Sequence, residues 1–228
     1  MSSTYEVCRP GGRRYKSVAT QFSRQWKHPT SAKPRYKSIV RIVKVTPPSN
    51  LRLRYKKYRT NLEKRGKFTR RKMRPGNERR RWHGTLCRNC QFLRQKLPPK
   101  GRTQPTQACV ICSIINTGLR KPKPRTPSDE KWGFGIYFSA TSSKSDDYTG
   151  PRVNGQAKPA KGVRALILCA VAVGRALKVK RYYKTIVHAP RGYDSVIGDP
   201  KVFRGLNYDE LVTYDIASCL PSYVVVYQ

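Results

Sequence analysis

The feature of this sequence that most constrains its fold is a set of four short motifs in a fixed order. The first is Trp82-His83-Gly84-Thr85, and the second is Gly133-Phe134-Gly135-Ile136-Tyr137-Phe138-Ser139. The third, Ser143-Lys144-Ser145-Asp146-Asp147-Tyr148, follows directly, and the fourth, Tyr208-Asp209-Glu210-Leu211-Val212-Thr213-Tyr214, lies near the C-terminus. One such motif is a weak signal, but four in this order are hard to obtain by chance. The sequence therefore predicts that one domain contains all four.

The order of these residues resembles the catalytic domain of the poly(ADP-ribose) polymerase family, the diphtheria-toxin-like ADP-ribosyltransferases. The resemblance covers roughly residues 36–228, because a strand, a Tyr-bearing helix and Asn77-Glu78 ahead of the histidine are similar to the start of that domain. It implies the α+β class and the ADP-ribosyltransferase fold, with mixed, mostly antiparallel β-sheets flanked by short helices. It also implies an enzyme that cleaves the nicotinamide–ribose bond of NAD. ADP-ribose would pass to a protein or nucleic-acid acceptor, either singly or as poly(ADP-ribose) chains.

The resemblance implies a role for each residue that binds NAD. His83 would hydrogen-bond the adenosine ribose, and the backbone of Gly84 would pair with the nicotinamide carboxamide. The hydroxyl of Ser145 would bind the same amide, while Tyr148 would stack on the nicotinamide ring. Tyr137 would form the opposite wall of the ring slot. Aromatic faces suit this task because they contact a flat ring over a large area.

The resemblance also implies a catalytic set of His83, Tyr137 and Glu210. Breaking the bond between nicotinamide and ribose builds positive charge on the anomeric carbon, as in glycoside hydrolysis. A carboxylate close to the ribose hydroxyls stabilises that charge, and a rigid site keeps the reacting atoms in place. Glu210 would bind the 2′-hydroxyl of the nicotinamide ribose and help to activate the acceptor.

Each of these residues also has a plainer structural explanation. A histidine beside Trp82 is often structural, Tyr137 fits a strand interior, and Ser142-Ser143 fits a helix cap. Glu210 fits a charge at a strand edge. Taken together, these explanations do not account for the glycine after the histidine or for the tyrosine that closes the Ser-Lys-Ser motif. The combined pattern therefore favours the transferase.

Local patterns predict the main helices and strands. A helix follows Pro47-Pro48-Ser49-Asn50, which also offers an N-cap, and it carries Leu51, Tyr55, Tyr58 and Leu62 on one face. A second helix is predicted from Val110 to Asn116, ending at Gly118, and a third is capped by Thr141 or Ser142 and runs through Tyr148. The predicted strands cover Tyr36–Val45, Arg164–Val173, Leu211–Tyr214 and Tyr223–Tyr227, and Pro122–Asp129 is predicted to be a loop.

The first 35 residues are predicted to form a basic, largely flexible arm, with at most a short helix around Phe22–Trp26. The catalytic domain is then expected to span residues 36–228. An arm of this length is too short for the helical regulatory subdomain that precedes many catalytic domains of the family. The resemblance therefore implies a site that is open without an allosteric release step.

The charge of the chain is strongly positive, with 49 Lys and Arg against 12 Asp and Glu and a net charge of +37. This field attracts polyanions, so DNA, RNA, poly(ADP-ribose) and anionic membrane surfaces are candidate neighbours, and a solvated basic surface without a partner is the alternative. No apolar run is long enough for a membrane helix, and no secretory signal begins the sequence. We therefore expect an intracellular protein, nuclear or cytoplasmic, with reduced cysteines.

Two C-x2-C pairs, Cys87/Cys90 and Cys109/Cys112, predict a structural zinc site within an insertion at residues 87–112. Some fungal-type members of the resembled family carry a Cys-rich insertion at this place. Four small thiols without a metal are the alternative. The other cysteines are expected in the core or the N-terminal arm, and no role is predicted for the two remaining histidines; these residues are Cys8, Cys169, Cys219, His28 and His188.

The sequence thus predicts an NAD-dependent ADP-ribosyltransferase. The alternative from another class is a non-enzymatic, zinc-braced basic module that binds nucleic acid or poly(ADP-ribose) and uses the same fold as a scaffold. That module requires neither Glu210 nor a nicotinamide slot. Catalysis therefore discriminates between the two hypotheses.

Overall fold

The computed structural model describes residues 3–29, 31, 35–87, 90–103, 109–121, 131–153 and 156–228. Strands within these ranges are β1 (Thr4–Val7), β2 (Ile39–Thr46), β3 (Glu78–His83), β4 (Lys100–Arg102), β5 (Ile136–Phe138), β6 (Arg152–Val153), β7 (Gln156–Ala157), β8 (Arg164–Ala172), β9 (Ala176–Lys178), β10 (Ser195–Gly198), β11 (Glu210–Thr213) and β12 (Cys219–Tyr227). The α-helices are α1 (Arg13–Arg24), α2 (Ser49–Gly66), α3 (Val110–Thr117) and α4 (Ser142–Asp146). Short 3-10 helices cover Phe68–Arg71, Pro75–Asn77, Gln91–Leu93, Asp147–Thr149 and Ile216–Ser218.

Two sheets and the short helices around them make up the fold. The larger sheet has six strands in the order β3-β8-β12-β2-β1-β4, and all of its pairings are antiparallel. The smaller sheet has the order β5-β11-β10-β9, with one parallel pair between β9 and β10. A two-stranded ribbon joins β6 to β7. The predicted α+β class with mixed, mostly antiparallel sheets is confirmed.

The core lies on both faces of β8 and β12, the central strands of the larger sheet. Alternate side chains of a strand point to opposite faces. Leu166 and Leu168 therefore join an aromatic cluster under α1, whereas Ile167 and Val171 join a cluster shared with α3 and the smaller sheet. Burial on both faces explains why the predicted strand Arg164–Val173 reads as a continuous apolar run.

The predicted Tyr-bearing helix is confirmed as α2. It buries Leu51, Tyr55 and Leu62, and Tyr58 packs at the edge of the same cluster. Its N-cap is Pro48 and no side chain caps it, so Ser49 and Asn50 lie inside the first turn instead of before it. Pro48 has the non-helical backbone of an N-cap residue, with a φ of −54° and a ψ of 154°.

Most of the other predicted elements are confirmed with shifted ends. The strand predicted from Tyr36 begins at Ile39 as β2, and α3 ends at Gly118, whose φ of +83° places it in the left-handed region. The predicted helix through Tyr148 ends at Asp146 as α4, after Thr141 as N-cap residue, and a 3-10 turn follows. The strands predicted near the C-terminus correspond to β11 and β12. The Pro122–Asp129 loop lies outside the described residues.

The prediction of a flexible N-terminal arm was wrong for the described part of residues 1–35. β1 pairs with both β2 and β4, and it therefore lies inside the larger sheet. α1 runs for 12 residues, not the short stretch around Phe22–Trp26, and it buries Val18 and Phe22. Phe22 contacts Trp82 and Tyr227. Burying one such ring contributes roughly 2–3 kcal/mol, so a segment of polar composition is held by a few apolar anchors.

Within the part of the chain that the structure describes, no helix is both long and apolar enough to cross a membrane.

Candidate active site

One cavity contains all six residues predicted for NAD binding and catalysis. It lies where β3, β5, α4 and the start of β11 meet. Its lining includes His83, Gly84, Tyr137, Ser145, Tyr148 and Glu210. These residues come from four separate motifs, and the fold brings them together.

Backbone hydrogen bonds join the two sheets at the cavity. The amide of Trp82 donates to the carbonyl of Ser139 at 2.8 Å, and the amide of Ser139 donates back to Trp82 at 3.0 Å. This bridge places the end of β3, with His83, beside the end of β5. On the other side, β5 pairs with β11, so that Tyr137 lies opposite Val212, two residues after Glu210. Neighbouring strand ends thereby present the His, Tyr and Glu side chains to one space.

The ring of His83 is fixed by one backbone carbonyl. Its Nδ1 lies 2.9 Å from the carbonyl oxygen of Tyr137. A carbonyl only accepts hydrogen bonds, so Nδ1 carries the proton and donates it, and Nε2 of the neutral ring is left as an acceptor. Burial lowers the pKa of His83, an effect that the carbonyl only partly opposes. The neutral ring can therefore accept a hydrogen bond from a hydroxyl in the cavity.

This geometry predicts the pH dependence of NAD binding. We expect the affinity for NAD to stay constant as pH falls from 8 through about 6.5, the ordinary histidine pKa, and to decrease only at lower pH. The reason is that burial lowers the pKa of His83, and protonation would convert Nε2 from an acceptor to a donor. Calorimetric titration with NAD between pH 5 and 8 measures the midpoint pH at which the affinity decreases. A midpoint at or above 6.5 in the wild type and in a His28→Asn variant would contradict this assignment.

Gly84 allows the end of β3 to approach the helix α4 closely. A Cβ at this position would overlap the carbonyl oxygen of Ser145 and crowd the Cβ of Tyr148. Ser145 is buried, whereas Tyr148 is 43% exposed and forms an outer wall of the cavity. The glycine is therefore a steric requirement of the site, and its own backbone groups remain next to the cavity.

Tyr137 is held by the loop that precedes its strand. Its hydroxyl donates to the carbonyl of Gly133 at 2.9 Å and accepts from the amide of Trp132 at 3.0 Å. The hydroxyl of Tyr214 in turn donates to the carbonyl of Trp132 at 2.7 Å. Because the hydroxyl is occupied in this way, the ring of Tyr137 is the part that the cavity can use.

Glu210 has two lysines beside its carboxylate. Its side chain is 7% exposed, Lys144 Nζ hydrogen-bonds Oε1, and Lys131 Nζ lies 3.6 Å from the same oxygen. Lys144 also donates to the carbonyl of Tyr208 at 3.3 Å. Burial lowers the pKa of Lys144, and the attraction of Glu210 opposes this shift. No role was predicted for either lysine, although Lys144 is the middle residue of the Ser-Lys-Ser motif.

Asp209 fixes the loop that carries Glu210. Its carboxylate accepts hydrogen bonds from Ser139 Oγ at 2.9 Å, from the amide of Ala140 at 2.8 Å and from Thr141 Oγ1 at 3.2 Å. These contacts tie the start of β11 to the segment between β5 and α4. Charge-assisted hydrogen bonds of this kind are strong and fix the Asp209 side chain. Because Glu210 follows Asp209 in the chain, these bonds also fix the backbone that carries Glu210.

His28 takes part in the same framework, although no role was predicted for it. Ser143 Oγ accepts from the amides of Lys27 and His28 at 3.0 and 3.2 Å, and it lies 2.7 Å from His28 Nδ1. Since the hydroxyl accepts from two amides, its own proton points to Nδ1. The His28 ring also contacts the Tyr208 ring, with centroids 4.2 Å apart and planes tilted by 36°. The segment after α1 thus contacts α4 and the loop before Glu210.

Replacing His28 with Ala is expected to raise the KM for NAD by up to about tenfold, because one hydrogen bond and one ring contact that position α4 are lost. His28→Asn is the matched control, since its side-chain oxygen can take the place of Nδ1. Steady-state kinetics of both variants measure the effect. Equal KM values for the alanine variant and the wild type would show that the contact does not position the site.

Three of the four predicted zinc ligands lie together. The Sγ atoms of Cys90, Cys109 and Cys112 are all within 4.8 Å of one another, and all three residues are buried. Cys87 is also buried in the same cluster. Among the other predictions, Cys8, Cys169 and Cys219 are buried core residues. The cysteine cluster and the cavity are joined through the few residues between Gly84 and Cys87.

Comparison with known proteins gives a consistent result. Residues 106–215 match the sequence model of the poly(ADP-ribose) polymerase catalytic domain. This range includes Tyr137, Ser145, Tyr148 and Glu210 and begins after His83 and Gly84, which the geometry alone brings to the site.

Three curated relatives share part of the chain. The protein mono-ADP-ribosyltransferase PARP4 of Homo sapiens is 33% identical over 96 residues, which are 41% of this chain and 5% of that protein. PARP4 of Mus musculus is 32% identical over 125 residues, 50% of this chain and 6% of the relative. PARP3 of Gallus gallus is 34% identical over 91 residues, 40% of this chain and 15% of the relative. The similarity thus spans a small part of each of these longer proteins. The match and the fold agree, so residues 106–215 of this chain are similar to the poly(ADP-ribose) polymerase catalytic domain.

Proposed function

We propose that this protein is an ADP-ribosyltransferase that uses NAD as its donor. The observation that carries the proposal is the convergence of His83, Tyr137 and Glu210 with the glycine and the Ser-Lys-Ser motif in one cavity. All three relatives reported above are named protein mono-ADP-ribosyltransferases. The catalytic domain would extend beyond the predicted residues 36–228, because β1 and α1 pack into the same fold.

NAD would bind with its nicotinamide between Tyr137 and Tyr148. Both rings line the cavity, and Ser145 and the backbone of Gly84 lie beside the same space. The carboxamide offers a donor and an acceptor, which a hydroxyl and a backbone amide or carbonyl can satisfy. His83 Nε2 would accept a hydrogen bond from a hydroxyl of the adenosine ribose. The flat ring is thereby held in one orientation before the reaction.

Glu210 would supply the main electrostatic contribution to the reaction. The C–N bond between ribose and nicotinamide breaks, its electron pair remains on the nicotinamide nitrogen, and the positively charged ring becomes neutral. The carboxylate stabilises the oxocarbenium-like charge on the ribose and accepts a hydrogen bond from its 2′-hydroxyl. The acceptor oxygen forms the new bond at the anomeric carbon and gives its proton to the Glu210 carboxylate, which passes it on to water. Lys144 holds the carboxylate in place through its buried ion pair.

The acceptor and the length of the product are the open parts of this proposal. A protein side chain or a phosphate at a nucleic-acid end would each serve as acceptor, and Lys131, whose side chain is 38% exposed next to Glu210, would attract an anionic one. Chain extension requires ADP-ribose itself to act as acceptor. The proposal includes a structural zinc ion at the four cysteines and a nuclear or cytoplasmic location.

The experiment that tests this function uses NAD labelled in the adenylate half. The purified protein is incubated with labelled NAD and with three acceptors in turn: the protein itself, soluble proteins, and RNA with a terminal phosphate. We expect covalent label on at least one acceptor, with single additions or ladders separating mono-transfer from chain growth. No label on any acceptor, with nucleic acid bound, would favour the non-enzymatic module instead.

We also propose that the exposed face of α2 and the following 3-10 turn binds nucleic acid. Twelve of the 23 residues from Arg52 to Arg74 are Lys or Arg, and Glu63 is the one acidic residue among them. Glu63 points into the turn, where it accepts from the amide and hydroxyl of Thr69 and from the amide of Gly76. None of the ion pairs between described residues involves Lys56, Lys57 or Lys64. Arg59, Arg65 and Arg74 of this stretch pair with acidic residues, and the lysines between them leave a dense row of cations that suits a phosphate backbone.

The test compares Lys56→Gln/Lys57→Gln/Lys64→Gln with Lys158→Gln/Lys161→Gln/Arg191→Gln, which removes the same charge from other exposed positions. Fluorescence anisotropy with a short duplex and a short RNA at several salt concentrations gives the slope of log affinity against log salt. The first variant is expected to lower that slope by about 2–3 and the second by less than 1. Equal losses in the two variants would show that the binding is spread over the whole basic surface.

A further inference from the structure

The cluster of Cys87, Cys90, Cys109 and Cys112 lies beside the cavity and has no part in the transfer chemistry. A tetrahedral zinc site with Zn–S bonds of about 2.3 Å places its sulfur atoms roughly 3.8 Å apart. The Sγ atoms of Cys90, Cys109 and Cys112 already lie within 4.8 Å of one another. Three thiols therefore converge on one point to within a small adjustment of their side chains.

Cys87 is placed to complete the set. It is 6% exposed and belongs to the same buried cluster, and its Sγ lies outside the group of three thiols that are within 4.8 Å of one another. Two C-x2-C pairs supply the four sulfurs, the arrangement found in closed structural zinc sites. In such a site every position is taken by protein, so the metal has no open position for a substrate.

The backbone around the sulfurs favours thiolates. Cys109 is the N-cap of α3, and the amide of Cys112 donates to its Sγ at 3.3 Å. The N-terminus of a helix stabilises negative charge, and amide hydrogen bonds do the same for sulfur. The surroundings are apolar, with Phe92, Ile111 and Ile115 in the same cluster. Buried thiolates in such surroundings require a cation, and zinc is the metal that prefers four of them.

The segment between the two pairs has little regular structure of its own to hold it. In its described part it contains the 3-10 turn Gln91–Leu93 and the three-residue strand β4. A metal ion that joins the start of this segment to α3 would replace the missing packing. Zinc sites contribute directly to folding stability in this way.

The cluster is also connected to the wall of the NAD cavity. Gly84 and Cys87 are three residues apart, and the amide of Cys87 donates to the carbonyl of Thr149 at 3.0 Å. Thr149 follows Tyr148 directly, and its Oγ1 donates to the carbonyl of Asp146, the last residue of α4, at 2.7 Å. Cys87, the first of the four cysteines in the sequence, therefore holds the turn that carries Tyr148 at the cavity wall.

We propose that Cys87, Cys90, Cys109 and Cys112 bind one zinc ion as four thiolates, and that this metal centre positions Gly84 and Tyr148 at the NAD cavity. Binding releases the four thiol protons and requires no oxidant or reductant. The second half of the proposal rests on the proposed function, since it concerns the affinity for NAD. The first half stands on the cysteines alone.

The first test measures metal in the wild-type protein, purified under reducing conditions without chelator. We expect about one zinc per chain by elemental analysis, and four thiols that react only after a chelator removes the metal. Cobalt substitution is expected to give the absorption bands of a tetrahedral tetrathiolate. Less than half an equivalent of zinc after incubation with zinc salt, together with freely reacting thiols, would overturn the proposal. Iron in place of zinc, with the visible colour of an iron–sulfur centre, would overturn it as well.

The second test compares Cys109→Ala with Cys169→Ala, a matched removal of a buried thiol from β8 outside the cluster. The Cys109 variant is expected to lose zinc and to bind NAD at least tenfold more weakly by calorimetry. The Cys169 variant is expected to keep the zinc content and the NAD affinity of the wild type. Because a variant can fail to fold, the same titration is done on wild type after chelation and again after zinc is restored, with near-UV circular dichroism as a check of the fold. Restored affinity on re-addition supports the proposal.

The outcomes separate this proposal from the proposed function. Loss of zinc with unchanged NAD affinity would overturn the link between the metal and the cavity. Zinc in stoichiometric amount, but no NAD binding by any form of the protein, would overturn the link and the transferase function while it supports the metal site itself.

Discussion

Replacing Glu210 with Gln is expected to lower the rate of ADP-ribose transfer by about 10²–10³-fold while NAD still binds. The two side chains have nearly the same shape, but Gln carries no charge for the developing cation, and removal of one such interaction costs a factor of this size. The Glu210 carboxylate is almost fully buried beside Lys144 and Lys131, so water does not replace its charge. Single-turnover label transfer and calorimetric titration with NAD measure the two quantities separately.

The matched control for this variant is Glu6→Gln. Glu6 lies on β1 with its side chain 48% exposed, and among the described residues its ion pair is with the exposed Arg14. Loss of the Glu6 charge should leave the transfer rate and the affinity for NAD unchanged, since exposed ion pairs contribute little.

Undiminished transfer by the Glu210→Gln variant would remove Glu210 from the mechanism and, with it, the assignment of the cavity as the site of the reaction.

Replacing Gly84 with Ala is expected to weaken NAD binding and to lower transfer by about 100-fold or more. The added methyl group would overlap the backbone carbonyl of Ser145, which cannot rotate away as a side chain could. Either β3 or α4 must then move, and a displacement of about 1 Å in a reacting site costs about 10²-fold in rate. The measurements are the NAD affinity by calorimetry and kcat/KM for transfer.

Gly12→Ala serves as the control for this substitution. Gly12 is the N-cap residue of α1 with a φ of −68°, and the nearest atom to an added Cβ would be the carbonyl oxygen of Arg9 at 3.1 Å. The change tests the general cost of adding a methyl group to a glycine of this protein away from the cavity. If Gly84→Ala keeps wild-type affinity and rate, the close approach of β3 to α4 is not a requirement of the site.

The strongest fold predictions succeeded where the local pattern and the tertiary packing demand the same residues. The strand β8 is buried on both faces, so its sequence after Arg164 is apolar, and α2 buries one stripe, so its apolar residues follow the helical period. The N-terminal segment was different. α1 is mostly basic and polar, and it is held by Val18 and Phe22 against an aromatic cluster from distant strands. No local pattern reveals such anchors, because their partners are supplied by the rest of the chain.

The candidate site also contains residues that the sequence predicts and residues that only the tertiary structure identifies. The residues in the four motifs were found because their types and order resemble a known catalytic domain. Lys144, Asp209 and His28 were missed because their meaning depends on neighbours in space. Lys144 is 66 positions from Glu210, and His28 is 115 from Ser143, so no spacing in the sequence connects them. A lysine or a histidine alone more often lies on a solvated surface.

The central claim is that this cavity breaks the nicotinamide–ribose bond and transfers the ADP-ribose. The most direct measurement uses NAD with one label on nicotinamide and another on the adenylate phosphate, and it counts free nicotinamide against ADP-ribose bound to acceptor. We predict equal amounts of the two products from the wild type, and about 10²–10³-fold less of both in the same time from Glu210→Gln. Folded wild-type protein that releases no nicotinamide at saturating NAD, or that releases it with free ADP-ribose as the only other product, would contradict the claim.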